Sequence, residues 1–251
     1  MNSLLLAIKS EHYKSAKTAA FWGAIIIPFF IVLAISLGVY YKTDNTWNGN
    51  PFQHWMKFIS QSLSIMGSFI IPLFCVFVGY AVNNIEHRSD MWKSLFTLPI
   101  SRFKLYAGKV IYSILLIYLA LLCFIIFTYL AGTIMSKVNP EYFHFNQYPI
   151  FIFLIALQLK FFFSSLAILA VQFVCSILWR NFLIPLGIGF LGIILGNLLA
   201  VSQLSAAKFF PYAQPMYSIL SMKLVKQTNS VHISVFTPEI MISIISAMII
   251  F

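Results

Sequence analysis

The sequence has few charged residues and very few acidic ones. Six Asp and Glu stand against sixteen Lys and Arg in 251 residues, and 9% of the chain is charged while 61% is hydrophobic. The mean hydropathy is +0.90. A soluble domain of this composition would lack the polar surface needed to cover its core. The composition therefore excludes an ordinary soluble domain and indicates a protein with several membrane spans.

Catalytic and metal-binding patterns are also missing. Cys75, Cys123 and Cys175 all lie in apolar runs, where packed thiols are more expected than disulfides or a metal site. The five histidines are scattered, and neither an HExxH motif nor paired carboxylates inside a span occur. The Gly108-Lys109 pair lacks the earlier glycine that a phosphate-binding loop needs. The sequence therefore predicts no catalytic residue, no bound metal and no ATP hydrolysis by this chain.

The positions of the basic residues explain the net charge of +10. They lie at the ends of apolar runs, where they set topology and meet anionic lipid, and no basic-aromatic surface is long enough to bind nucleic acid. With the N-terminus inside, nine basic residues are cytoplasmic and six are outside, and five of the nine lie in residues 83–109. We therefore expect the N-terminus and this central loop to be cytoplasmic.

The apolar runs predict an all-α protein with six transmembrane helices, because about 20 apolar residues cross the hydrocarbon core. The predicted spans are residues 19–41, 59–82, 110–134, 150–179, 182–201 and 239–251. The last run has 13 residues, which form about 20 Å of helix and do not reach across ~30 Å of hydrocarbon. We expect it to be a truncated sixth span.

Three segments outside the spans have features of their own. Residues 1–18 separate apolar from basic side chains, as in a helix lying in the membrane interface, which serves either as a lipid anchor or as a second cytoplasmic contact. Residues 42–58 form a predicted polar loop with exposed aromatic side chains at Trp47, Phe52 and Trp55. Residues 202–238 are too apolar for a free loop and are expected to dip into the outer membrane surface.

The central loop, residues 83–109, contains a predicted amphipathic helix. Apolar residues at 91, 92, 95, 96 and 98 follow the spacing of one helical face, Pro99 ends the helix, and Ser101 is placed to cap the third span. A surface for lipid alone would avoid acidic residues, and aromatic side chains anchor protein interfaces. We therefore favour a docking site for a cytoplasmic partner over a helix resting on lipid. Its predicted residues are Glu86, Asp90, Met91, Trp92, Leu95 and Phe96.

Basic residues after this helix have a simpler predicted role. Arg102, Lys104 and Lys109 precede or begin the third span and are expected to hold it at the lipid headgroups.

Polar residues inside the predicted spans are candidates for a substrate pathway. Lys160 is the one charge within an apolar run, and its distance from Arg180 favours a side chain that snorkels to the outer boundary. Gln158, Gln172 and Asn197 either line a pathway or form hydrogen bonds between helices, and the sequence does not separate these.

The glycines of the fifth predicted span match the sequence of a nucleotide-binding motif but lack its structural context. Residues 187–192 read GxGxxG but follow no strand and precede no acidic partner. Gly192 and Gly196 instead form a GxxxG pair, which predicts close packing of two membrane helices.

These features together resemble the membrane subunits of ABC-2 type exporters, in particular the permeases of bacitracin- and lantibiotic-immunity transporters. The resemblance is carried by the helix at residues 4–17, by Glu86 after the second span, by residues 92–104 (WKSLFTLPISRFK) and by Lys109. It covers essentially the whole chain and implies a type V exporter-like transmembrane domain in a bacterial cytoplasmic membrane. The truncated sixth span departs from the family pattern.

The resemblance also implies partners. A cytoplasmic ABC ATPase that binds ATP and Mg²⁺ would dock on the central loop, and a second permease copy or a paralogue would complete a dimer. The implied function is export of an amphipathic peptide, antibiotic or lipid-like substrate. The alternatives are a membrane scaffold or sensor without transport, and an ABC-2 permease that serves metal-site maturation or gliding and secretion machinery. An intramembrane enzyme is a more distant alternative.

Overall fold

A computed structural model describes residues 3–41, 50–88, 101–140, 142–202, 204–220, 224–225, 230–231 and 234–251. Its α-helices are α1 (Ser3–Ser15), α2 (Ala19–Tyr41), α3 (Pro51–Ile65), α4 (Ile71–Arg88), α5 (Arg102–Val138), α6 (Phe151–Leu178), α7 (Leu183–Val201), α8 (Gln214–Leu220) and α9 (Pro238–Ile250). The remaining regular elements are short. They are 3₁₀ turns at Phe145–Gln147, Ser205–Phe209 and Pro211–Ala213, and an antiparallel pairing of Leu224–Val225 with Ser230–Val231.

Five helical stretches of the described residues are long and apolar enough to cross a membrane. They are Ala19–Tyr41, Pro51–His87, Arg102–Val138, Phe151–Leu178 and Leu183–Val201. A helix satisfies its own backbone hydrogen bonds, as hydrocarbon requires of any lipid-exposed segment. The prediction of an all-α membrane fold is confirmed. The apolar helix α9 is shorter, at 13 residues.

The second span begins earlier than predicted. Asn50 precedes the helix and Pro51 is its first residue, a position where the missing proline N–H costs no hydrogen bond. Phe52 and Trp55 are therefore helical and buried, so the prediction that they are exposed in a polar loop is wrong. The Trp55 indole N–H donates a hydrogen bond to the carbonyl oxygen of Phe145 (2.8 Å), so this polar group has a partner although the side chain is buried. Trp47 lies outside the described residues.

A five-residue π-helical segment, Met66–Ile70, joins α3 to α4. The wider turn disturbs the regular ladder of backbone hydrogen bonds. The side chain of Asn197 in α7 donates to the carbonyl oxygen of Ser68 within it (2.8 Å). Gly67 faces α8, and a Cβ there would lie 3.1 Å from the Phe161 ring and 3.5 Å from the carbonyl oxygen of Pro215. The π segment therefore sits where α4, α7 and the chain after α7 converge.

The chain after α7 folds back against it. Tyr212 and Ala213 are buried there, and the Tyr212 ring lies 2.8 Å from the position of a Cβ on Gly192. The backbone of Tyr212 lies 2.6 Å from the position of a Cβ on Gly196. The GxxxG pair does permit a close approach, but its partner is the Pro211–Ala213 turn. The prediction that it joins two spans is wrong.

Helix α9 packs along α6 in the same direction. The Ser243 hydroxyl donates to the carbonyl oxygen of Phe163 (2.8 Å), and the Phe251 ring contacts the Phe173 ring at 5.8 Å between centroids. Ser243 thus meets the middle of α6, and Phe251, directly after α9, meets a residue further along α6, so the two helices run parallel.

Candidate coupling site

Four charged side chains form a closed ring at the base of the central loop. Each of two lysines bridges the same two carboxylates. The Lys14 Nζ lies 3.1 Å from both Glu11 Oε1 and Glu86 Oε1. The Lys109 Nζ lies 3.1 Å from Glu11 Oε2 and 2.7 Å from Glu86 Oε2. The ring has no net charge and joins α1, α4 and α5.

The local sequence explains why these side chains meet. Glu11 and Lys14 are three residues apart, so they share one face of α1. Helix α1 approaches α5 where Ala7 faces Gly108, and a Cβ on Gly108 would lie 2.9 Å from that of Ala7. Small residues at this crossing bring the backbones together and place Glu11 beside Lys109, the residue after Gly108.

The ring is buried. Glu86 is 1% exposed and Lys109 is 4% exposed. A buried charge is tolerated only when it is paired and hydrogen-bonded. Lys109 meets this condition fully, because its ammonium group also donates to the carbonyl oxygen of Val82 (3.1 Å) and so uses three donors.

Lys14 is the most exposed member of the ring. Burial lowers the pKa of Lys14, but the charges of Glu11 and Glu86, with their hydrogen bonds, outweigh burial and raise this pKa above its ordinary value. Lys14 therefore remains a cation at neutral pH.

A second set of contacts ties the end of α4 to the end of α6. The Asn83 amide donates to the Ser176 hydroxyl (2.7 Å), which donates in turn to the carbonyl oxygen of Gly79 (2.7 Å). The His87 ring lies 3.0 Å from the carbonyl oxygen of Ser176. The last turns of α4 are thus held on one side by the charged ring and on the other by α6.

The structure changes the roles of two predicted site residues. Glu86 was predicted as part of a docking surface, but its carboxylate is buried against Lys14 and Lys109. Lys109 was predicted to meet lipid headgroups, and its position in the ring shows that this is wrong. The other predicted docking residues, Asp90, Met91, Trp92, Leu95 and Phe96, lie outside the described residues. Helix α4 ends at Arg88 and α5 begins at Arg102, so the ring joins the two helices on either side of residues 89–101.

Sequence reasoning missed Glu11 and did not connect the two lysines to it. The partners are up to 98 residues apart, so no local spacing marks them. One signal was available. The chain has six acidic residues, and an acidic residue near the end of an apolar run is expected to have a cationic partner.

Of the polar residues within the spans, Gln158, Lys160 and Gln172 are buried and Asn197 is partly buried, and each makes different contacts. Lys160 is 2% exposed, and the charge of the buried Glu239 in α9 acts on it, so the prediction of a snorkelling side chain is wrong. Asn197 connects α7 to the π segment. Among the described residues, the amide nitrogen of Gln158 has no hydrogen-bond partner.

Gln172 connects α6 to the segment after α7. The hydrogen-bond network places its amide oxygen toward the Tyr212 hydroxyl (2.5 Å) and the backbone N–H of Gly189 (3.3 Å). Its amide nitrogen then donates to the carbonyl oxygen of Pro185 (3.2 Å). Gln172 and Asn197 thus form hydrogen bonds between elements, which is one of the two roles open from the sequence.

Possible metal ligands do not gather in the part of the chain that the structure describes. No group of three or more His, Cys, Asp and Glu side chains there could hold a metal ion. Cys75, Cys123 and Cys175 are free thiols.

Five described helical stretches able to cross a membrane, two of them joined by a charged ring, define a multi-pass membrane protein. A family model described as "ABC-2 family transporter protein" matches residues 7–196. The chain belongs to this family, and it is the membrane permease of an ABC transporter rather than its ATPase. The resemblance seen in the sequence is confirmed at this level. No curated protein and no solved structure matches the chain.

Proposed function

We propose that this chain is an export permease driven by a separate ABC ATPase that docks on residues 89–100. The observation that carries the proposal is the buried ring of Glu11, Lys14, Glu86 and Lys109 at the base of that segment. A loop that only rested on lipid would not need three helices joined at its base. In this proposal the N-terminus and the docking segment are cytoplasmic, and the membrane is a bacterial cytoplasmic membrane.

The ring supports a mechanism in which the docking segment moves several helices together. ATP and Mg²⁺ bind the partner ATPase, and closure of the ATPase pair displaces the segment between Arg88 and Arg102. Because Glu86 and Lys109 are bonded to each other and to α1, the ends of α4 and α5 move with α1 as one body. The contacts of Asn83 and His87 with Ser176 pass the displacement to α6.

The proposed substrate is an amphipathic peptide, antibiotic or lipid-like molecule. The spans have few charged side chains, which suits such cargo better than ions. We further propose a homodimer or a heterodimer with a paralogous permease. A role in immunity to antimicrobial peptides is supported by the resemblance of residues 92–104 to the immunity permeases.

Docking is tested by replacing the two aromatic side chains of the segment. Trp92→Ala combined with Phe96→Ala should lower the affinity for the ATPase at least 30-fold, since loss of even one interface anchor of about 2 kcal/mol corresponds to that factor. The measurement is the amount of ATPase that co-purifies with the permease, followed by a binding titration. Phe103→Ala is the matched control, because this aromatic residue is 75% exposed and lies in α5. Unchanged co-purification of the double variant would overturn the docking assignment.

The immunity role is tested in a susceptible bacterium. Expression of the permease with its ATPase should raise the minimum inhibitory concentration of a lantibiotic severalfold, and the Trp92→Ala, Phe96→Ala variant should abolish the increase. An unchanged inhibitory concentration with an intact permease–ATPase complex would reject peptide immunity and leave ATPase docking standing.

A further inference from the structure

An apolar groove lies between α1, the start of α2 and the first half of α5. It encloses about 500 Å³, within the range of roughly 300–1,000 Å³ that is typical of ligand sites. Leu5 and Ile8 of α1 form one wall, and Leu115, Leu116 and Leu119 of α5 form the other. Leu5 and Leu115 are largely exposed. Exposed leucines in a multi-pass protein face lipid, so the groove opens toward the bilayer.

The surface of this groove is almost wholly apolar, and Lys9 is the one charged residue among the described residues that line it. Lys9 and His12 of α1 both contribute to its lining. Lys9 is exposed, and within the described ranges no carboxylate pairs with it, because the neighbouring Glu11 is held in the ring by Lys14 and Lys109. The Lys9 charge therefore remains available to an anion.

The orientation of His12 is set by two aromatic rings. Its imidazole meets Phe21 edge-on at 5.7 Å and Tyr112 at 6.1 Å between centroids. These contacts hold the ring at the wall of the groove, on the same helix as Lys9. The groove thus has apolar walls, and the exposed Lys9 places a positive charge at its edge.

We propose that this groove binds an anionic phospholipid. One acyl chain lies between α1 and α5, and the phosphate pairs with Lys9. A lipid matches the groove because an apolar chain joined to an anion is complementary to leucine walls with one basic side. Bound lipid would press α1, which carries Glu11 and Lys14, against α5. The proposal is independent of ATPase docking and of the direction of transport.

The headgroup contact is tested on the purified full chain by native mass spectrometry during titration with phosphatidylglycerol or phosphatidylcholine. The unmodified chain should retain phosphatidylglycerol in preference to phosphatidylcholine. Lys9→Gln should reduce this preference about fivefold, as expected for loss of one basic residue near an anionic headgroup. Lys17→Gln should leave it unchanged, because Lys17 is also exposed but does not line the groove. Equal losses in both variants would overturn the assignment in favour of general attraction by surface charge.

The acyl-chain contact needs a second pair of variants. Leu115→Trp should fill the groove and reduce retention of both lipids, whereas Ile126→Trp, at a similarly exposed position of α5 outside the groove, should not. Full retention by Leu115→Trp would show that the lipid binds elsewhere. Loss of a dimer signal in Leu115→Trp, with lipid retention unchanged, would assign the groove to a second copy of the chain and overturn the proposal.

Discussion

Replacement of Lys109 by methionine should destabilise the folded permease by about 3–5 kcal/mol, the cost of removing one partner from a buried ion pair. The reason is the geometry of the ring. Glu11 and Glu86 both bond to Lys109, and without it the two buried carboxylates share Lys14 alone. The measurement is chemical or thermal unfolding of the full chain in detergent micelles or nanodiscs.

Lys104→Met is the matched control, because Lys104 is an exposed lysine of the same helix. It should change the free energy of unfolding by less than about 0.5 kcal/mol, as is usual for surface substitutions. The double variant Glu86→Leu, Lys109→Met removes one charge of each sign and should be more stable than Lys109→Met alone. The structural role of the ring is contradicted if Lys109→Met is as stable as Lys104→Met.

The double variant also separates folding from transmission. It should remain folded and bind the ATPase through residues 89–100. Because α4 and α5 have lost their bond to each other, ATP-driven export should fall while binding persists. This comparison distinguishes a ring that transmits movement from one that only stabilises the fold.

Gly196→Ala should destabilise the fold relative to Gly187→Ala by about 1–3 kcal/mol, the usual cost of overpacking. A Cβ at Gly196 would lie 2.6 Å from the backbone of Tyr212, whereas one at Gly187 meets no atom within 4 Å in the described structure. Both glycines lie in α7, so the gain in helix propensity from alanine is similar and cancels in the comparison. The measurement is again the free energy of unfolding of the two variants.

The position of the Pro211–Ala213 turn provides a second readout for these variants. A disulfide or spin label pair placed between this turn and α7 should report a greater separation in Gly196→Ala than in Gly187→Ala. Equal stability and equal separation in the two variants would show that the turn does not pack on Gly196.

The sequence predicted the helices well because the physical requirement on a span is local. The hydrocarbon core demands about 20 apolar residues and internally satisfied backbone groups, and both can be read from a run of residues. The first span is residues 19–41 in prediction and structure alike, whereas α5 begins at Arg102, before the predicted start of the third span at residue 110, and the Ser101 side chain forms no capping hydrogen bond with any described residue. The start of the second span was missed because residues 51–58 are polar enough to read as a loop, and only the contact of Trp55 with Phe145 shows why they are helical and buried.

The resemblance to the ABC-2 family followed from short local patterns, namely residues 4–17, Glu86, residues 92–104 and Lys109, and the family model confirms it. The roles of Glu86, Lys109 and Lys160 did not follow, because each depends on an element far away in the chain, and the role of Gly196 depends on how the chain folds back after α7. The sequence alone determined a multi-pass helical permease without an ATPase motif. The tertiary structure decided which charges pair, because the partners of Lys109 are 23 and 98 residues away and meet it only when α1, α4 and α5 pack together. It also decided which glycines contact a turn, because the chain after α7 folds back against that helix.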